Sequence, residues 1–150
     1  MTNDMLDPYQ FTTTLATLHK TSQSPEVKFG SKNATYMGHL PQLGGWDWSW
    51  EICSTRSRRL ALELESQAKG HNAEFDKLTP MLVDKAISRL FRPLRSEGRT
   101  VKLSLVHGDL WFATTGIETG MGDSFVFDPC SLYAQNECGF VAKECHTECS

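Results

Sequence analysis

The stretch that decides the fold is Val101–Pro129, VKLSLVHGDLWFATTGIETGMGDSFVFDP. It holds two short apolar runs, Val101–Val106 and Ser124–Phe127, and each stops at an aspartate, Asp109 and Asp128. Gly108 lets the backbone turn tightly after the first run. Gly120 and Gly122 close a hairpin into the second, and pairing of the two runs sets Asp128 beside Asp109. Two strands that end this way deliver one carboxylate each. One such acid can take a proton from an attacking hydroxyl, and the other can hold a metal ion on a phosphate. His107 can brace the turn through hydrogen bonds. Trp111 offers a flat apolar wall on which a sugar ring can stack.

The rest of the chain sets bounds on that chemistry. With 150 residues, 39% hydrophobic and 22% charged, it has the size and composition of one globular domain with a real core. A net charge of -3 is the wrong sign for a nucleic-acid partner. No apolar run is long enough to cross a membrane, and Asp4 and Asp7 stand where a signal peptide needs an apolar stretch. These features predict a cytoplasmic protein. The five cysteines are Cys53, Cys130, Cys138, Cys145 and Cys149, which in that compartment are expected as free thiols. Cys138, Cys145, His146 and Cys149 are metal-ligand types, but their spacing fits no zinc pattern.

Upstream, Asp7-Pro8 marks a helix start that runs to Lys20, with His19 and Lys20 in the last turn. Residues 21–45 read as loop, punctuated by Pro25, Gly30, Gly38, Pro41, Gly44 and Gly45. Trp46, Trp48 and Trp50 are expected mainly as core anchors. A helix begins near Ser49 and continues to about Ala68, with Trp50, Cys53, Leu60 and Leu64 on one face and Arg58 and Arg59 pairing with Glu63 and Glu65. A second helical pattern reaches Arg95, with Thr79-Pro80 as an internal start and Val83, Ile87, Leu90, Phe91 and Leu94 as its stripe. After Pro129 the sequence reads as loop.

HGDLW followed by a hairpin and Asp128-Pro129 resembles the fructosamine kinase family, also called ketosamine 3-kinases or protein-ribulosamine 3-kinases, whose members have a protein-kinase-like fold. Other stretches carry the same resemblance: FTTTLATLHK before Phe29-Gly30, TYMGHLPQ at 35–42, WDWSWE at 46–51 and LFRPLRSEGRT at 90–100. It covers about residues 8–137 and is similar above all to fungal members. The implied reaction is a protein-deglycation phosphotransfer. The 3-hydroxyl of a ribulosamine or fructosamine on a glycated lysine is phosphorylated from ATP with Mg²⁺. By resemblance Asp109 is the general base, Trp111 and His107 lie on the substrate side, and Asp128 is a metal ligand. Thr114 falls where the family has a metal-binding asparagine.

The same resemblance predicts an α+β, mainly helical fold: part of the C-terminal lobe of a kinase-like protein (residues 1–137) with a small antiparallel hairpin. Residues 138–150 form an irregular tail unlike the family. Upstream of Tyr9 there is no lysine-bearing strand and no glycine-rich phosphate loop. Two other functions fit the residues: a sugar-amine or partner-binding module without catalysis, and a small-molecule kinase of the aminoglycoside or choline type.

Overall fold

The computed structural model describes residues 7–139. It opens with helix α1 (Pro8–Thr21), whose first turn is closed by the Asp7 carboxylate accepting from the Tyr9 amide at 2.9 Å. Pro8 sits at the start, where its missing N–H costs nothing. Helix α2 (Trp50–Lys69) follows Ser49, as the sequence predicts, and ends at Gly70 with φ 80°.

The expected loop between these helices is instead four short strands: β1 (Phe29–Ser31), β2 (Thr35–Met37), β3 (Leu40–Gln42) and β4 (Gly45–Asp47). Each has three residues, too few to display the alternation that marks a strand in sequence. Glycine makes one pairing possible. A Cβ on Gly30, at φ 116°, would lie 2.0 Å from the Gly45 carbonyl oxygen of the neighbouring strand. The described residues are therefore α+β but not mainly helical, with 47% helix and 21% strand.

The Val101–Val106 run forms β5 (Leu103–Val106), and the hairpin consists of β6 (Thr115–Ile117) and β7 (Ser124–Val126). The two apolar runs do not pair with each other. β5 pairs instead with β8 (Leu132–Gln135), a strand in the segment that reads as loop. The central sheet has the order β4-β1-β8-β5 and is antiparallel throughout, with Phe29 opposite Asp47, Gly30 opposite Tyr133 and Val106 opposite Leu132. β8 was hidden because Leu132 and Ala134 are its only inward residues, too short a pattern to separate from a loop.

One face of this sheet carries the core. Phe29, Val106, Leu132 and Ala134 pack against Trp50 and Cys53 of α2. The Trp50 ring lies 5.9 Å from Phe29 and 6.3 Å from Phe91. Trp46 and Trp48 do different work. Trp46 lies 6.1 Å from Tyr133, and Trp48 is exposed with the Lys28 ammonium 4.4 Å over its ring. Burial pushes the Cys53 thiol up to about 11, so it is held as a neutral packing group.

Thr79-Pro80 is not a helix start. Helix α3 (Ala73–Pro80), a π-helical segment (Met81–Ala86) and helix α4 (Ile87–Arg95) run on without a break, with Pro80 inside the run. Val83 and Ile87 of the expected stripe are buried, whereas Leu90 is exposed. Arg58 and Glu65 pair differently from expectation: Arg58 donates to Ser54 and Glu65 takes Lys69 at 2.5 Å, while Arg56 meets Asp47 at 2.7 Å. Of the cysteine-rich tail, Cys145, His146 and Cys149 lie outside the described residues. No helix among the described residues is long and apolar enough to cross a membrane.

The outer edge of β5 is sealed by the end of α1. Ser104 donates to the His19 carbonyl at 3.1 Å, and the Leu105 amide donates to the Ser22 hydroxyl at 2.8 Å. The His19 ring is half-buried at this seam, and burial together with nearby Lys102 holds its pKa below 6.5. The unfolded chain therefore takes this proton more readily than the folded one. Stability associated with His19 is full above about pH 6.5 and is lost as the pH falls below it. Urea midpoints between pH 7.5 and 5.5 are expected to fall more steeply for the native chain than for His19→Gln; equal slopes would contradict this.

Candidate functional site

The site grows from the C-terminal end of β5. Val106 is fully buried, and the chain then turns through His107 and Gly108 to Asp109, all buried. Gly108 has φ 84°, a region that side chains with a Cβ enter only with strain. A Cβ there would also lie 2.5 Å from the Cys130 carbonyl oxygen and 2.7 Å from its sulfur. The turn that carries Asp109 is thus seated directly on the residue that follows Asp128-Pro129.

Asp128 occupies a strained position of its own. Its φ is 56°, in the left-handed region that aspartate tolerates better than most residues. It is exposed, whereas Asp109 is only 7% exposed. The two acids are therefore in different environments, one inside the turn and one at the rim.

Strand pairing does not bring them together, since β5 and β7 belong to different sheets. Hydrogen bonds do. The His107 ring faces backbone on both sides: Nδ1 lies 3.4 Å from the Asp109 amide, and Nε2 lies 3.0 Å from the Phe127 carbonyl. An imidazole with its proton on Nε2 satisfies both, accepting from the amide and donating to the carbonyl. At 4% exposed, His107 is placed to brace the two loops and has little surface to offer a ligand.

Thr114 completes the connection. Its hydroxyl donates to the Asp109 carbonyl at 2.9 Å and accepts from the Trp111 amide at 3.2 Å. Its own carbonyl accepts from the Phe127 amide at 3.1 Å. Asp109, Thr114, Phe127 and His107 form a closed circuit in which the backbones of Asp109 and Phe127 are held at both N–H and C=O. Trp111 leaves this circuit half-buried, with its ring 5.0 Å from Phe112 in an edge-on arrangement.

All five expected residues thus lie on one connected segment. The sequence reading missed the parts played by Cys130 and by the main chain of Phe127. The position of Cys130 two residues after Asp128 was the available signal, but nothing in its type shows that it seats Gly108. The described residues hold no group of three or more His, Cys, Asp or Glu side chains suited to a metal ion. Asp128 nevertheless suits Mg²⁺ as a single hard carboxylate, because that ion commonly takes one or two protein carboxylates and completes its shell with phosphate oxygens and water.

Known proteins resemble this chain along most of its length. The fructosamine kinase family model matches residues 2–149. A rice (Oryza sativa subsp. japonica) protein named chloroplastic protein-ribulosamine 3-kinase is 30% identical over 132 residues, covering 87% of this chain and 36% of the relative. The mouse (Mus musculus) ketosamine-3-kinase is 30% identical over 110 residues, or 73% of this chain and 33% of that protein. A crystal structure from Haemophilus somnus, described as a fructosamine-3-kinase, shares the fold with a TM-score of 0.65 at 23% identity, covering 93% of this chain and 44% of that one. The chain belongs to the fructosamine kinase family. It spans between a third and a half of the length of these relatives.

Gly108→Ala is expected to cost about 3 kcal/mol, because strain at positive φ adds to the clash with Cys130. Gly38→Ala is the control: it has φ 60° with nothing within 4 Å, so only the strain remains, about 1 kcal/mol. Urea denaturation of both variants measures the difference; equal losses would mean that Gly108 is not seated on Cys130.

Proposed function

We propose that this chain carries the acid pair of a ketosamine kinase, which transfers phosphate from ATP to a sugar hydroxyl on a ketosamine. The observation that carries the reading is the closed circuit. It links the loops that carry a buried aspartate and an exposed one, and phosphoryl transfer depends mainly on such positioning.

Asp109 acts as the general base, taking the proton from the attacking 3-hydroxyl of a ribulosamine or fructosamine. Its burial at the turn keeps it away from bulk water, and its backbone is held on both sides, so little reorganisation is needed. Trp111 stands two residues on and supplies the apolar surface for the sugar ring. Asp128 is the residue that holds Mg²⁺, which when bound neutralises charge on the ATP phosphates. His107 supports both acids from behind and contributes to substrate binding only through the turn that it holds.

The substrate is a small ketosamine or the same group on a glycated protein lysine, so the reaction is a deglycation kinase step. In this reading residues 7–137 belong to part of the C-terminal lobe of the kinase-like fold. The cell compartment in this reading is the cytoplasm, although the rice relative is named as chloroplastic.

The experiment is phosphoryl transfer from ATP to a ribulosamine-bearing peptide by the purified chain, with Asp109→Ala as control. A general base contributes about 10²–10⁴-fold, so Asp109→Ala is expected to lose at least a hundredfold in rate. Turnover equal to that of Asp109→Ala would sink catalysis by this chain. Ketosamine binding that persists without turnover would then point to a sugar-amine-binding module.

A further inference from the structure

Thr114 stands where the family's metal-binding asparagine is expected, and its surroundings argue for another role. The side chain is 5% exposed. A hydroxyl has one proton to donate and two lone pairs to offer. Here the proton goes to the Asp109 carbonyl at 2.9 Å, with the Trp111 carbonyl at 3.1 Å as its alternative acceptor. One lone pair is taken by the Trp111 amide at 3.2 Å. A Mg²⁺ ion keeps several waters and takes ligands about 2.1 Å away in near-octahedral order. It needs an oxygen that faces open space, which a buried hydroxyl bonded to two backbone groups does not provide.

We infer that Thr114 is a positioning residue, the clasp that closes the Asp109–Trp111 turn, and that its hydroxyl is not a Mg²⁺ ligand. The inference rests on the reading of Asp109 and Asp128 as the reactive pair. It changes how they are held. The Thr114 side chain sets the height of Asp109 and the exit direction of Trp111. Its backbone carbonyl, through the Phe127 amide, sets the start of the loop that carries Asp128. Metal binding by side chains then falls to Asp128 alone among the residues of this segment.

The test needs no turnover. Amide hydrogen exchange of Trp111 reports the clasp, because Trp111 lies outside any regular strand and the Thr114 oxygen is the acceptor for its N–H. In the native chain this amide is expected to be protected, and Thr114→Ser keeps the hydroxyl and the protection. Thr114→Val has the same shape without the hydroxyl and raises Trp111 exchange about tenfold or more. Mn²⁺, a paramagnetic stand-in for Mg²⁺, is titrated against the same three proteins and Asp128→Asn while signals near Asp128 are followed. Mn²⁺ affinity is expected to stay within about twofold in both Thr114 variants, since no first-sphere ligand is lost, and to disappear in Asp128→Asn.

An unprotected Trp111 amide in the native chain overturns the clasp. So does Thr114→Val weakening Mn²⁺ as much as Asp128→Asn while leaving Trp111 exchange unchanged. Should Thr114→Val not fold, the native chain and Thr114→Ser decide on the same two readouts. A native chain that takes no Mn²⁺ counts against the proposed metal role of Asp128, while Trp111 exchange still decides the clasp.

Discussion

Gly108 and Cys130 meet with space between them for a hydrogen atom and nothing larger. A Cβ on Gly108 would lie 2.5 Å from the Cys130 carbonyl, well inside contact distance. Much of the site depends on that approach. It lets the turn after β5 settle onto the start of the segment leading into β8, which are also the two strands that pair over Leu103–Val106. With the turn seated, His107 reaches the Phe127 carbonyl and Thr114 reaches the Asp109 carbonyl. A bulkier residue at 108 would lift the turn and lengthen every bond in the circuit together.

The core and the site share this foundation. Val106 and Leu132 are opposite one another in the sheet and both belong to the apolar cluster under α2. Each is within two residues of a contact in the site. Packing thus holds the roots of both loops, and the polar circuit holds their tips. Burying the His107 ring would be costly with either nitrogen unpaired; bonded to backbone on both sides, it is a satisfied strut.

What could be read from the sequence followed the strength of each local signal. The helices were legible because Asp7-Pro8 and the long pattern after Ser49 are strong signals. The HGD and DP turns were legible as a pair because an aspartate ends each apolar run. The strands between α1 and α2 were not, since three-residue strands carry no period and their glycines look like loop punctuation. β8 was lost for a similar reason. The stripe was read correctly at Val83, Ile87 and Phe91, which face the core, but not at Leu90, which lies on the solvent side. Trp48 shows the limit of composition: a tryptophan was expected inside, and it lies outside beneath a lysine. The circuit around Asp109 could not have been read, as most of its groups are main-chain atoms of the kind every residue type possesses.

That last point has an evolutionary side. Phe127 takes part through its amide and carbonyl only, so its side chain is free to drift without uncoupling the acids. Asp109 also enters the circuit through its backbone, while its carboxylate is fixed by the proposed role as base. Only His107 and Thr114 contribute side-chain atoms, and at position 114 any short side chain with an oxygen in the same place can serve. A site joined in this way tolerates substitution along most of its length and concentrates selection on very few positions, so distant relatives can keep the geometry of the loops after most of the surrounding sequence has diverged.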